Sequence, residues 1–191
     1  MNKNFYKTKE WLKIKKLDRA QLLLVLENLK RGTIIYRTKN IENLFNKTKI
    51  SYQTYSGVKR GSLLIARQKY LDKFNKDSRS HEMNGWILSY PACCTAEYAR
   101  KRTPTEKKHQ LTDTHHKSYT FGKQIEKTKK IPEHLFYLVP SLTPCKIDCK
   151  KTKKLLTYWM KRLKRLDPEA AKALKQFNEK SLKTNISNSK P

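Results

Sequence analysis

The 191 residues suffice for one domain with a core that needs no cross-links. Lys and Arg total 44 against 16 Asp and Glu, a formal net charge of +28; lysine-rich coding bias would raise the acids as well, so a polyanionic partner is expected. The longest apolar run, LLLVL at 22–26, is too short to span a bilayer, and no apolar leader with a cleavage site opens the chain, so a cytoplasmic protein is expected.

In chain order, Asp18 with Gln21 reads as a capping box, and Leu22, Val25, Leu26 and Leu29 follow at helical spacing up to a stop at Gly32. TIIYR (33–37) predicts a short strand, and NIENLFNK (40–47) a short helix capped by Asn40. Gly57 and Gly61 bracket a basic turn. From Ser62, LLIARQKYLDKFNK reads as a third amphipathic helix burying Leu63, Ala66, Tyr70, Leu71 and Phe74, and 75–85 as a polar turn. Pro91 suits the first turn of a helix that runs to about residue 102. The polar stretch 102–123 has no period and is read as a loop, and EHLFYLVPSL (133–142) as a strand or buried segment. Thr152 opens the strongest helix, with Leu155, Leu156, Trp159, Leu163 and Leu166 on one side. Asp167 and Pro168 then read as the cap and first residue of another helix. The fold class expected is mainly α with minor β. An N-terminal helical part (1–80) and a cysteine-motif part (81–180) share one domain, followed by a disordered tail (181–191). The sequons at Asn46 and Asn185 are read as chance matches.

All four cysteines fall in two short segments that each contain a proline just before the first cysteine, PACC (91–94) and PCKIDC (144–149). Four readings compete for Cys93, Cys94, Cys145 and Cys149: a metal centre, a pair of disulfides, a reactive thiol, or four buried small hydrophobes. The metal reading leads, because each segment runs into a basic helix whose N-terminus and cations favour the thiolate. Cys145 and Cys149 are spaced for zinc or iron alike. The adjacent pair crowds a single tetrahedral ion, so a four-iron, four-sulfur cluster is preferred slightly over zinc.

The double motif resembles an uncharacterised, largely archaeal domain-of-unknown-function family with the pattern YPxCC … PCxxxC. Tyr90, Pro91, Cys93, Cys94 and Tyr98 match its first half, and Pro144, Cys145 and Cys149 its second, while Leu142 stands where that pattern has His. The resemblance spans roughly residues 83 to 178 and implies no activity.

His109, His115 and His116 lie between the cysteine segments and are candidate alternative ligands or solvated loop residues; His81 and His134 stand alone. No phosphate-cradling glycine loop, nucleophile elbow or paired-carboxylate motif occurs, so catalysis is not indicated. Asp18, Asp167 and Glu169 are better explained as helix-end residues. Basic charge thickens beside the cysteines: residues 100 to 130 hold ten Lys or Arg against three acids, and 146 to 165 nine against one, with Tyr158 and Trp159 interleaved. A centre joining the two segments would bring these runs together. Arg100, Lys101, Arg102, Lys150, Lys151, Lys153, Lys154 and Tyr158 are therefore the candidate nucleic-acid contacts, RNA being preferred to DNA, with Tyr158 free to stack on a base and Trp159 in the core. The function expected is a metal-binding basic protein that binds RNA or a ribonucleoprotein. The alternatives are a thiol or Fe–S enzyme acting on nucleic acid, for example in tRNA modification, and a metal-free interaction module.

Overall fold

A computed structural model describes residues 3–45, 48, 50–55, 61–76, 80–100, 131–139 and 144–187. It is mainly helical with one small sheet, as the composition and periodicity predict. After an N-terminal 3-10 turn (Lys3–Lys7), α1 (Lys9–Leu12) begins at Thr8, whose hydroxyl oxygen accepts the Trp11 N–H at 3.3 Å. Helix α2 (Lys16–Leu26) is buried along its whole second half, the mark of a central helix. It starts earlier than the expected capping box, and no side chain caps it; Gln21 instead accepts the Thr33 hydroxyl at 2.9 Å in the core. Its stop is not Gly32 but Asn28, at φ 58°: Leu29 N–H bonds to Leu24 C=O (2.8 Å) and Asn28 N–H to Val25 C=O (3.1 Å). Those two bonds form a Schellman motif, and asparagine tolerates its left-handed position better than most residues.

Strand β1 (Gly32–Tyr36), α3 (Lys39–Phe45), β2 (Ser51–Thr54) and β3 (Ser62–Ala66) follow. Thr38, not Asn40, stands at the start of α3, its hydroxyl near the Ile41 N–H at 3.4 Å; the Asn40 amide donates to the Lys13 carbonyl at 3.1 Å. The sheet is antiparallel in the order β1-β3-β2. This corrects the helix expected from Ser62. Leu63 and Ile65 enter the main core, while Leu64 and Ala66 enter a second cluster with Leu71, Phe74, Ile87 and Leu88. A short strand buried on both faces has no polar alternation, so its LLIA reads equally well as a helical turn.

Two helices cover that second face. Helix α4 (Gln68–Lys76) keeps the expected burial of Leu71 and Phe74, and α5 (His81–Ile87) replaces the turn expected over 75–85. Ser80 caps α5 by accepting the Met83 N–H at 3.0 Å. Helix α6 (Ala92–Arg100) comes next, then a buried 3-10 segment (Glu133–Tyr137), α7 (Lys150–Leu166) and α8 (Pro168–Ser187). Helix α8 extends past the expected end at about residue 180. Its Asn178 amide donates to the Phe136 and Leu138 carbonyls (3.0 and 2.7 Å), satisfying backbone that forms no sheet. The main apolar cluster joins Trp11, Leu24 and Ile65 to Leu135, Leu156 and Leu174, so both halves of the chain supply it.

The α7–α8 corner is held by one buried carboxylate. Asp167 Oδ1 accepts the Ala170 N–H at 3.0 Å, the cap expected from Asp-Pro. It also accepts the Trp11 indole N–H (2.8 Å, Oδ2) and pairs with the Arg19 guanidinium (3.1 Å), tying α1 and α2 to the corner. The Arg19 and Asp167 side chains are only 2% and 4% exposed, while Glu169, the other partner of Arg19 at 3.1 Å, is 63% exposed.

Candidate metal centre

Helices α5 and α6 deliver the first cysteine pair. The α5 end repeats the Schellman pattern: Tyr90 N–H bonds to Gly85 C=O (2.8 Å), Ser89 N–H to Trp86 C=O (3.0 Å), and Ser89 takes φ 60°. The Ser89 hydroxyl oxygen accepts the Arg31 N–H at 2.8 Å, which fixes the turn to the start of β1. Pro91 then opens α6, its carbonyl accepting the Cys94 and Thr95 N–H groups at 2.9 and 3.1 Å. Side chains in a first turn lean toward the helix N-terminus, so Cys93 and Cys94 both reach the space beyond the helix end. The second pair comes from the 144–149 loop, with Cys149 at the N-cap of α7.

The four thiols converge as the double motif predicts. Cys93 and Cys94 sulfurs are 3.9 Å apart, and each is 3.8 Å from Cys149. All four lie within 4.8 Å of one another, a cluster able to hold a metal ion. None is disulfide-bonded. Thiolates 2.3 Å from a tetrahedral ion stand about 3.8 Å apart. A four-iron cluster needs separations of about 6.5 Å. The helix end seats the adjacent Cys93 and Cys94 sulfurs 3.9 Å apart, closer to the single-ion spacing than to that of a cluster.

The surroundings divide the thiols. Cys145 N–H donates to Cys94 Sγ at 3.4 Å, and the buried Thr152 hydroxyl lies 3.2 Å from Cys94 Sγ and 3.4 Å from Cys149 Sγ. Burial pushes the Cys94 thiol up to about 12 and raises Cys145. Burial acts on Cys149 as well, but hydrogen bonds from Thr152 and the neighbouring thiols outweigh it and pull that group down to about 6. Cys149 is thus the sulfur most ready to carry charge, at the positive end of α7. Sequence reading took Thr152 only as a helix opener; its place three residues after a cysteine N-cap is the signal that marks it. His134, read as isolated, is buried and hydrogen-bonded to the Ile147 backbone within the ligand loop, and burial lowers its pKa.

Tyr90 packs against both apolar clusters. Beside it, the buried Lys30 ammonium lies 5.9 Å from its ring centroid and 5.6 Å from that of Trp159, and burial pulls this lysine down to about 7.

Gly85 sets how closely α5 and α6 pack. A Cβ there would stand 2.2 Å from Thr95 Oγ1, 2.5 Å from its Cγ2 and 2.9 Å from its Cβ, so no rotation of Thr95 relieves it. Gly85→Ala should destabilise the fold by about 1–3 kcal/mol and loosen metal retention, since Thr95 follows Cys94. Adding Thr95→Ala should recover part of both losses in thermal melting and metal competition. A Gly85→Ala protein of native stability would refute this tight crossing.

Of the candidate nucleic-acid contacts, Lys150, Lys151, Lys153 and Lys154 are exposed on α7 and Tyr158 is 54% exposed. Trp159 is buried in the core, as expected. Lys150, Lys154, Tyr158, Lys161 and Arg165 recur on one side of α7, a stripe about 22 Å long opposite buried Thr152, Leu156, Trp159 and Leu163. Helix α7 contains no acidic residue. Arg100 closes α6, while Lys101, Arg102, His109, His115, His116 and Leu142 lie outside the described residues. No described helix is long and apolar enough to cross a membrane. No family model matches the sequence, and no curated protein or solved structure matches the chain.

Proposed function

We propose that Cys93, Cys94, Cys145 and Cys149 hold one zinc ion, and that this centre staples α6 to α7 so that α7 presents its basic stripe to RNA. The observation that carries the reading is that the Cys93, Cys94 and Cys149 sulfurs stand 3.8–3.9 Å apart with that of Cys145 within 4.8 Å of them, closer to the spacing of thiolates around a single tetrahedral ion than to that around a cluster. The hydrogen bonds from Thr152 and from Cys145 N–H are the outer contacts that orient metal-bound thiolates. The partner class rests on the net charge of +28 and on an acid-free helix that exposes a tyrosine among cations. The resemblance to the archaeal double-motif family belongs to the same reading, since that pattern contains both thiol pairs.

The purified protein should be colourless with one zinc per chain, and its affinity for structured RNA should fall steeply with salt. Reversing Lys150, Lys151, Lys153 and Lys154 to Glu should lower the log–log salt slope by about 3–4 and leave the melting temperature near native. Salt-independent binding, or unchanged affinity after reversal, would count against the α7 face. A brown protein with iron and sulfide would replace zinc by a cluster.

A further inference from the structure

We propose a second nucleic-acid contact, distinct from α7, in which Trp86 takes an unpaired base and Arg31, Lys69 and Lys73 take the flanking phosphates. The inference rests on the nucleic-acid reading above and deepens it by naming single strands as a ligand. Trp86, on α5, is partly exposed, whereas Trp11 and Trp159 are each 0% exposed. The Tyr70 ring meets it edge-on, with centroids 5.9 Å apart and planes at 80°, which holds the indole in one orientation. The Arg31 guanidinium carbon lies 4.9 Å from the indole centroid, and Arg31 Nη1 donates to the Trp86 carbonyl at 3.0 Å, so this cation is fixed in place. Lys73 Nζ sits 4.7 Å from the same centroid, and Lys69 Nζ 5.1 Å from that of Tyr70.

Arg31, just before β1, and helix α4 thus bring three cations to two neighbouring rings, and among the described residues none of the three is in an ion pair. On α4, Lys69, Lys73 and Lys76 recur at helical spacing and are exposed. The one acid of that helix, Asp72, accepts from Gln68 at 2.8 Å. Unneutralised cations around an aromatic platform are the arrangement that tracks a phosphate backbone while bases stack. Lys73 is long and exposed, and a base on the indole is a stronger contact than an exposed ammonium over it, so the lysine yields the ring and meets a phosphate. Duplex bases are stacked on one another and cannot reach the indole, which makes the ligand single-stranded.

The test is tryptophan emission of the full chain titrated with a short single-stranded RNA, its duplex, inorganic polyphosphate and an acidic peptide. The single strand should change the emission and the other three should not, because the remaining tryptophans are buried. Trp86→Phe should remove that response and weaken single-strand binding about tenfold with duplex affinity unchanged. Lys73→Gln, which leaves the core untouched, should weaken single-strand binding about threefold. Equal responses to polyphosphate or peptide, or native single-strand affinity in both variants, would overturn the proposal. Binding that is lost on α7 charge reversal but indifferent to Trp86 and Lys73 sinks this contact alone; absence of all RNA binding sinks it together with the α7 reading.

Discussion

Cys94→Ser is expected to lower the melting temperature by roughly 10 °C, and a strong chelator applied to the native protein should do the same. An ion at this centre closes the chain from Cys94 to Cys145, and a cross-link over about 50 residues removes unfolded-state entropy worth about 4 kcal/mol. For a domain of this size that corresponds to roughly 8–16 °C. The chelator should leave the Cys94→Ser protein unchanged, and reductant alone should leave the native protein unchanged, which separates a metal staple from disulfides. Loading should also weaken as pH falls. The Cys94 and Cys145 thiols are held above the ordinary range, so each must give up a proton when an ion binds, and acid opposes that release. Native stability in Cys94→Ser, or a melting temperature indifferent to chelator, would remove the staple.

Asp167→Ala should cost about 3–5 kcal/mol, although no ion or ligand is involved. The substitution leaves the Arg19 charge almost wholly buried with only Glu169, itself exposed, as partner. It also orphans the Trp11 indole N–H and uncaps α8 at Ala170. Asp167→Asn keeps an oxygen for the cap but not the charge, and should lose less. Replacing Arg19 by Met together with Asp167 by Leu should recover much of the loss, because the desolvation of both charges disappears with the pair. Urea unfolding reads these effects as a lower midpoint at constant slope. A loss below about 1 kcal/mol in Asp167→Ala would show that water already reaches the pair.

What the sequence makes legible here follows from how local each signal is. The Asp-Pro corner, the one-sided apolar face of α7 and the strand at TIIYR depend on neighbours within a few residues, and each is found where expected. The convergence of the cysteines is legible because the two motifs are similar, and a helix begins at each. What stays hidden depends on the third dimension. Strand β3 looks helical because both of its faces are buried, which no periodicity records. Helix α5 contains a glycine that lowers its propensity and is needed only for the approach of Thr95. The stops at Asn28 and Ser89 use residues outside the glycine rule, and Ser89 is held there by an N–H from Arg31. That Cys93 and Cys94 can both face one point is hidden as well, because adjacent side chains share a direction only where a helix begins. The Trp86 patch joins Arg31 to Lys69 and Lys73 of α4, remote from it in the chain, and leaves no local motif.

The order of the three strands carries a colloidal consequence. With β3 in the middle, β1 and β2 each have one side unpaired among the described residues, and such edges can template pairing between copies. Both strands are short, and a surplus of positive charge keeps neighbouring molecules apart. A polyanion added to the point of neutralisation removes that repulsion while the edges remain. Dispersed solutions are therefore favoured at either extreme of the mixing ratio, and turbidity near the equivalence point.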